Sequence, residues 1–418
     1  MENNRSSQPV GYLLSKFGLV ALLSGLLLAA WYRQIVVVIL LGLALSTAGF
    51  AKLWSRFALS RVNCQRLCPE NRIFLGEQIE LKLRLTNRKL LPLPWIQVDD
   101  EVPTGLVPDR ALAPSNRPGF CVLSRGAALL WYSGVNWRYY LKGNKRGYYS
   151  LGPITLTSGD IFGFYPRSVT LPSIDNVIVY PRIYPVNRSS FPSKFPIGES
   201  TAEQKIFEDP VRVIGLRDYR PHDSRRRIHW KASARHQQLQ VKVFEPTTTL
   251  KLYLFLSVDS FQPGHGEVLD EDAFELGISI AASIAHHLIT EQRSSVGLLV
   301  NTLMADSGQP ARIPPSSGSG QLVQILEALA KVTPKTFPPF EEFLQNERIR
   351  LPWGATLVFI IGRLLPLLEA SLARLREQGY RLVVIQVQDG EMKDNRQESD
   401  WYYVSKPSDL TKIGYREA

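Results

Sequence analysis

The fold class predicted for this chain is multidomain: an N-terminal two-helix transmembrane hairpin, an all-β sandwich domain, and an α/β domain with a mostly parallel sheet. Three patterns predict it. Two apolar runs, residues 17–31 and 35–50, are separated only by Tyr32, Arg33 and Gln34. Short alternating runs punctuated by Gly, Pro and Asn then continue to about residue 185, and after residue 250 apolar strand-length runs alternate with amphipathic helices. At 418 residues the chain is longer than one ordinary domain.

The hairpin occupies residues 1–60. Its apolar cores are short for a bilayer of about 30 Å, but flanking residues extend them to spans of about 11–32 and 35–53, with Lys16 placed to snorkel. Trp31 and Tyr32 fall at the far interface. Arg5 and Lys16 precede the hairpin and Lys52, Arg56, Arg61 and Arg66 follow it, whereas the turn carries only Arg33. The positive-inside rule therefore places both termini and the soluble domains in the cytoplasm, as a multi-pass protein. A cleaved signal peptide is the alternative, disfavoured because the apolar run repeats instead of ending at a small-residue cleavage site. Three cysteines, Cys64, Cys68 and Cys121, lack zinc-site spacing and suit reduced thiols. Cys64 and Cys68 stand at helical i, i+4 spacing and read as packing residues, with lipidation or redox chemistry as the alternative.

Residues 61–185 read as the sandwich. Ile79, Leu81, Leu83 and Leu85 alternate with Glu80, Lys82 and Arg84, and further strands are expected at 95–98, 127–132, 137–141, 148–156 and 177–180. Asp160 is a candidate catalytic carboxylate or, on the Ser-Gly-Asp pattern, a turn residue. Residues 186–214, rich in Pro, Ser and Phe around Pro192 and Pro196, read as a connector on the surface of the next domain.

Residues 215–245 concentrate charge and aromatics, carrying nearly half of the net charge of +11. Asp223 is expected to N-cap a helix over 224–234 with Ile228 and Ala232 on one face, followed by a strand from Leu239. Three readings of this segment stand open. It is a structural staple of Arg–carboxylate pairs with Trp230 as a core anchor, a protein-docking or anionic-ligand surface, or a nucleic-acid binder with Tyr219 and Trp230 interleaved among basic residues. Three acidic residues within the run, and the lack of a recognised nucleic-acid motif, argue against the last. The overall pI near 9.5 suits an anionic membrane surface as well as nucleic acid, so charge alone does not choose.

The residues Gly215, Arg217, Tyr219, Pro221, Asp223, Arg226, Ile228, Trp230, Lys231, Ala234 and Arg235, followed by Leu239, Val241 and Glu245, resemble the signature of the domain-of-unknown-function 58 family of bacterial membrane proteins. Residues 146–153 (RGYYSLGP) and 158–163 (SGDIFG) resemble what that family carries ahead of the signature. One departure is His222, where the family has glycine. The resemblance implies that residues 215–418 hold a von Willebrand factor A-like, Rossmann-like domain. It also implies an adaptor or assembly factor at the bacterial cytoplasmic membrane, partnered by a MoxR-type AAA+ ATPase and associated with transglutaminase-like membrane proteins.

In open α/β sheets chemistry sits beyond the strand C-termini, which singles out Asp259. The implied fold builds a metal site from an Asp-x-Ser-x-Ser run and a later aspartate. Here Phe261 and Pro263 replace both serines, and Gly362 and Arg363 stand where the later carboxylate belongs. Asp259 and Ser260 alone offer too few oxygens for a hard divalent ion, so a degenerate, metal-free site without cofactor is expected. A metal-dependent adhesion or hydrolase module, and a membrane-tethered nucleic-acid binder, are the rival functions. Residues 315–320 (PSSGSG) lack the lysine and spacing of a phosphate loop and read as a flexible loop. Adjacent His286 and His287 cannot chelate as an i, i+4 pair, and no nucleophilic triad is recognisable, so no catalytic residue is assigned and the protein is not expected to be an enzyme.

Overall fold

The computed structural model describes residues 16–108, 112–186, 208–221, 223–246, 251–262, 270–336, 338–352, 355–387 and 401–411. They form two compact units, residues 1–180 and 181–418.

The first unit opens with two apolar helices, Lys16–Trp31 and Ile35–Ala58. Arg33, at φ 53°, makes the turn between them. The second helix has mean hydropathy 2.2 and only 11% of its apolar window is buried, so its outer surface calls for an apolar solvent. Helix Glu271–Glu291 is also long and apolar, but 67% of its window is buried, which makes it a core helix of the second unit. The second N-terminal helix runs past the expected end at residue 53, to Ala58. The extension exists because Ala48, Ala51, Ser55 and Ala58 form a small-residue stripe that is buried.

The helix C-terminus is tied to the following β domain. Lys89 is buried, and its Nζ donates to the carbonyls of Phe57 (2.9 Å), Ala58 and Ser60 (2.9 Å) at the end of the helix, where the intrahelical ladder stops. Burial pulls the Lys89 ammonium down to about 8. One turn earlier, Ser55 Oγ donates to the Tyr165 carbonyl.

The β domain is a sandwich-like stack. A four-stranded sheet runs in spatial order Val62–Leu67, Gln78–Asn87, Gly134–Gly143 and Leu106–Pro108. A five-stranded sheet runs Arg167–Leu171, Ile154–Ser158, Leu93–Pro103, Phe120–Leu129 and Ala113–Pro114, and a three-stranded one runs Arg72–Phe74, Asp175–Tyr180 and Gly147–Leu151. Alternation in Gln78–Asn87 sends Ile79, Leu81, Leu83 and Leu85 into one core shared with Ile96, Val98, Leu123 and Leu156 of the five-stranded sheet. Arg66 crosses this core as a buried clip. Its guanidinium bonds Asp100 and Asp175 (2.9 Å) and donates to the Leu151 (3.0 Å) and Ser173 carbonyls (3.3 Å). Burial raises the Asp100 carboxyl despite that guanidinium.

Several expectations are corrected here. Cys64 lies in strand Val62–Leu67 and Cys68 just beyond it, so the two share no helical face. The expected strand at 148–156 is two strands, divided at Gly152 with φ 100°. The strand expected at 127–132 is Phe120–Leu129, and Leu130, Trp131 and Tyr132 form the turn after it. The last strand ends at Tyr180, where Pro181 follows. Asp160 is the turn residue: its carboxylate accepts the backbone N–H of Phe162 (3.0 Å), Phe164 (3.2 Å) and Tyr165 (2.7 Å).

In the second unit the main strands are β1 (Lys251–Leu256), β2 (Ser295–Met304), β3 (Pro310–Ser316), β4 (Thr356–Ile361), β5 (Arg381–Val387) and β6 (Trp401–Val404). Their spatial order is β3-β2-β1-β4-β5-β6, parallel throughout except for antiparallel β3. A further strand, Val332–Thr336, pairs antiparallel with β2. β1 and β4 are buried on both faces, as the near-continuous apolar runs require. Helix Glu271–His286 is N-capped by Asp270, which accepts from Ala273 N at 3.0 Å, with Glu271 and Asp272 in its first turn. Residues 315–316, expected in a loop, close the edge strand β3, and the helix Ser319–Lys331 begins three residues later.

Two measurements test the first unit. Lys89→Met removes the ammonium shared by the Phe57, Ala58 and Ser60 carbonyls and is expected to cost about 1–3 kcal/mol in unfolding of the detergent-solubilised protein. Burial pushes the Cys64 thiol from 9.0 to about 11. Cys64 should therefore alkylate about a hundredfold more slowly in the fold than an ordinary thiol, read at its peptide by mass spectrometry. Between those two values the unfolded chain has released a proton that the fold retains, so the Cys64 contribution to stability declines as pH rises from 9 to 11.

Candidate functional site: a basic ribbon and the end of the parallel sheet

The signature folds as an antiparallel ribbon, Glu208–Asp218 against Gln240–Pro246, with a helical excursion between the strands. Its first strand begins at Glu208, inside the stretch expected to be connector; residues 187–207 lie outside the described ones. Tyr184, just before that stretch, donates its N–H to Ser283 Oγ of helix Glu271–His286 at 2.9 Å.

The excursion consists of a single 3-10 turn, Arg225–Arg227, and the helix Trp230–His236. Asp223 is therefore not a helix cap, which corrects the expected helix over 224–234. The cap is His229, whose Nδ1 accepts from Ala232 N at 3.1 Å. Extended backbone at Ile228 separates the two helical pieces, and Ile228 bridges to Val241. Ile228 and Ala232 are both buried, but they share no helix face, because only Ala232 lies in the helix. The helix stops at Gln237, which takes φ 56°.

Polar bonds lock the excursion to the ribbon. Arg217 grips the Asp223 carboxylate with both guanidinium nitrogens (2.7 and 2.6 Å), and the same carboxylate accepts Arg220 N at 2.8 Å. Asp218 accepts from Gln240 Nε2 at 2.6 Å. Ser233 Oγ donates to the His229 carbonyl (3.1 Å) and accepts from Gln240 N (2.9 Å). Tyr219 N donates to Leu239 O at 2.8 Å, with the ring half-buried. Gly215 sits beside an irregularity in the strand register, and a Cβ there would meet nothing.

The outward face is different. Trp230 is 69% exposed, so it is not the core anchor of the staple reading, because the helix buries Ala232 and Ser233 instead. Lys231, Ala234 and Arg235 are exposed with it, as are Arg220 and Arg225. His222 lies outside the described residues, and so does the side chain of Arg226. The ribbon therefore has a stapled base, Arg217 with Asp223, and a solvent-facing basic and aromatic rim.

The second candidate position is the point where the sheet order reverses, between β1 and β4. Asp259 follows β1, and both of its carboxylate oxygens accept from the protein: Oδ1 from Ser257 Oγ (2.8 Å) and Oδ2 from Phe340 N (2.8 Å). That second bond satisfies the N-terminus of helix Phe340–Arg348, an element that no sequence pattern announced. Ser260 Oγ donates to Ser257 O (2.7 Å) and accepts from Gly362 N (2.8 Å), while Arg363 N donates to Ser260 O (2.7 Å). Phe261 is buried against Phe274, 5.8 Å between ring centroids. A Cβ on Gly277 would stand 2.6 Å from its ring, and one on Gly362 would stand 2.6 Å from the Ser260 carbonyl. The described positions of the expected metal site are thus taken up by internal bonds and a phenyl ring, and Pro263 lies outside the described residues. Among the described residues no three His, Cys, Asp or Glu side chains converge to hold a metal ion. Adjacent His286 and His287 point apart; His287 is buried with Nδ1 3.5 Å from Glu291.

Two outcomes check this geometry. Calorimetric titration with magnesium or manganese should give the same featureless heats for the wild type and Asp259→Ala. Asp223→Asn should weaken the ribbon by about 1–2 kcal/mol, seen as faster amide exchange over residues 215–221.

Comparison with known proteins places the chain among relatives without an assigned role. It is 25% identical over 250 residues to the "Uncharacterized protein YeaD" of Bacillus subtilis (strain 168), covering 57% of this chain and 56% of that relative. The chain thus matches little more than half the length of that relative. Solved structures that align with it include a CARDB domain from Pyrococcus furiosus (10% identity, 28% of this chain, 91% of that one, TM-score 0.19). A non-cellulosomal cohesin from Archaeoglobus fulgidus aligns at 10% identity over 28% of this chain and 91% of its own, with a TM-score of 0.20. At these scores the likeness carries no argument about activity. Neither the matched family nor the bacterial relative bears the name of an activity. Residues 215–395, which span the ribbon's signature and the sheet through β5, match the family described as "Protein of unknown function DUF58", the family whose signature the sequence resembles.

Proposed function

We propose that this protein is a membrane-anchored cytoplasmic adaptor or assembly factor that works by docking other proteins and not by catalysis. Exposed Trp230, flanked by Lys231 and Arg235 on a helix whose opposite face is buried, is the observation that carries this reading. Tryptophan and arginine on a rigid base are the usual anchors of protein recognition, and a solvent-facing indole of this size has no folding role to explain it. The stapled base supports the same reading, because a rim held by Arg217 and Asp223 loses little conformational freedom when a partner binds.

The second unit is read as von Willebrand factor A-like, supported by the β3-β2-β1-β4-β5-β6 order with one antiparallel edge. Closure of the Asp259 position by internal bonds favours a scaffold over a metal-dependent adhesion or hydrolase module. The partner proposed is a MoxR-type AAA+ ATPase, with a transglutaminase-like membrane protein as a further member of the assembly. The net charge of +11 suits residence at the anionic cytoplasmic face of the bacterial inner membrane.

Capture from detergent extracts tests the reading. Wild-type protein should retain the ATPase, and a folded Trp230→Ala, Arg235→Glu variant should retain several-fold less. Equal capture by both would remove the rim from the proposal.

A further inference from the structure

Around the last two turns of helix Ile35–Ala58 the β domain exposes large apolar side chains that the docking reading does not use. Three loops carry them; hydrogen bonds fix two of these loops to the helix end and the third to the first of them. Lys89, which donates to the carbonyls of Phe57, Ala58 and Ser60, anchors the loop that bears Leu90. Leu90 is 74% exposed. Asn87 Nδ2 donates to the carbonyls of Leu91 (3.0 Å) and Leu130 (2.9 Å), and Tyr132 N donates to Lys89 O (3.3 Å). The turn with exposed Leu130, Trp131 and Tyr132 is therefore fused to the first loop. The third loop, held by the Asp160 carboxylate, reaches the helix through the Ser55 bond to Tyr165 O and presents exposed Ile161 and Phe162.

Ser55 and Ala58 are less than one turn apart, so two loops meet the helix within about 5 Å along its axis, and the Leu130–Tyr132 turn is joined to one of them. At the same level the helix itself exposes Leu53 and Phe57. The apolar surface of the helix thus continues sideways onto the β domain. Exposed Lys52, Arg56, Arg61 and Arg88 lie among these groups in sequence and structure.

We infer that these three loops are a second membrane-binding element: a rim of the β domain that sits in the headgroup and upper acyl region of the leaflet through which the second helix leaves. The inference rests on the reading of the helix pair as membrane-spanning. Trp, Tyr and Phe beside aliphatic side chains match the interfacial layer, where an apolar ring body and a polar edge are both accommodated. The surrounding Lys and Arg match anionic lipid phosphates. Continuity with the helix surface selects lipid over a soluble partner, since a partner docked there would have to share its footprint with the acyl chains around Leu53 and Phe57. The consequence is that the sandwich is held flat to the bilayer and does not swing freely below it.

Photo-crosslinking of the full-length protein in liposomes containing anionic lipid tests this. p-Benzoylphenylalanine is placed singly at Trp131, Phe162, Tyr140 and Leu43, and lipid adducts are counted by mass spectrometry. Tyr140 is exposed on strand Gly134–Gly143, roughly 20 Å along it from the rim. Positions 131 and 162 should give several-fold more lipid adduct than 140, and more with anionic than with neutral lipid. Adduct at 43 with none at 131 or 162, or protein adducts there in place of lipid, would overturn the rim while leaving the anchor intact. No lipid adduct at 43 would instead overturn the membrane reading itself. The two rim sites are on separate loops, so a local folding defect at one leaves the other informative.

Discussion

The first unit depends on how a helix ends. An α-helix leaves its last carbonyls without partners, and here those carbonyls emerge against a folded domain instead of into water. Lys89 answers them with a buried ammonium, and Ser55 adds a bond one turn earlier. The next strand, Val62–Leu67, starts within a few residues and carries Arg66, which binds both faces of the sandwich. A chain of fully used donors therefore runs from the helix end to the centre of the β core. Desolvated charges are tolerated at both places only because nearly every polar hydrogen finds an acceptor. Helix and sandwich are in consequence one mechanical piece.

The second unit shows the opposite economy at its crevice. Open parallel sheets offer a site where their strand order reverses, and residues there are normally left with lone pairs to spare. Asp259, Ser260 and Gly362 spend theirs on one another, on Ser257 and on the start of helix Phe340–Arg348. Phe261 fills the remaining space and makes Gly277 necessary. What would be reactive edge becomes support, and the chemistry available for recognition moves to the ribbon, where Arg217 and Asp223 hold an exposed indole in place.

Much of this was readable before any coordinates. Strict alternation at 79–85 and the apolar strand-length runs after residue 250 that become β1, β4 and β5 are local patterns, and each appeared where its period demanded. Elements that rest on distant partners were not legible. Helix Phe340–Arg348 starts with a bond to a carboxylate 81 residues away, and strand β3, with three prolines, exists because β2 pairs with it. At the signature, the exchange of cap from Asp223 to His229 followed from a competition that helix-capping rules do not capture: Arg217, six residues earlier at the end of the first strand, claims the Asp223 carboxylate. Ile228 and Ala232 are buried as their apolar character suggests, but not on one helix face: Ile228 is extended and bridged to Val241, and only Ala232 lies in the helix.

One modest feature bears on how many copies can share a membrane. Strand β3 closes one side of the sheet, and its Pro310, Pro314 and Pro315 have no N–H to offer. A neighbouring chain approaching that border in extended form finds no regular ladder to join. Under the proposed membrane anchoring, copies would meet far more often than in free solution, and this border offers them no edge to zip into fibres.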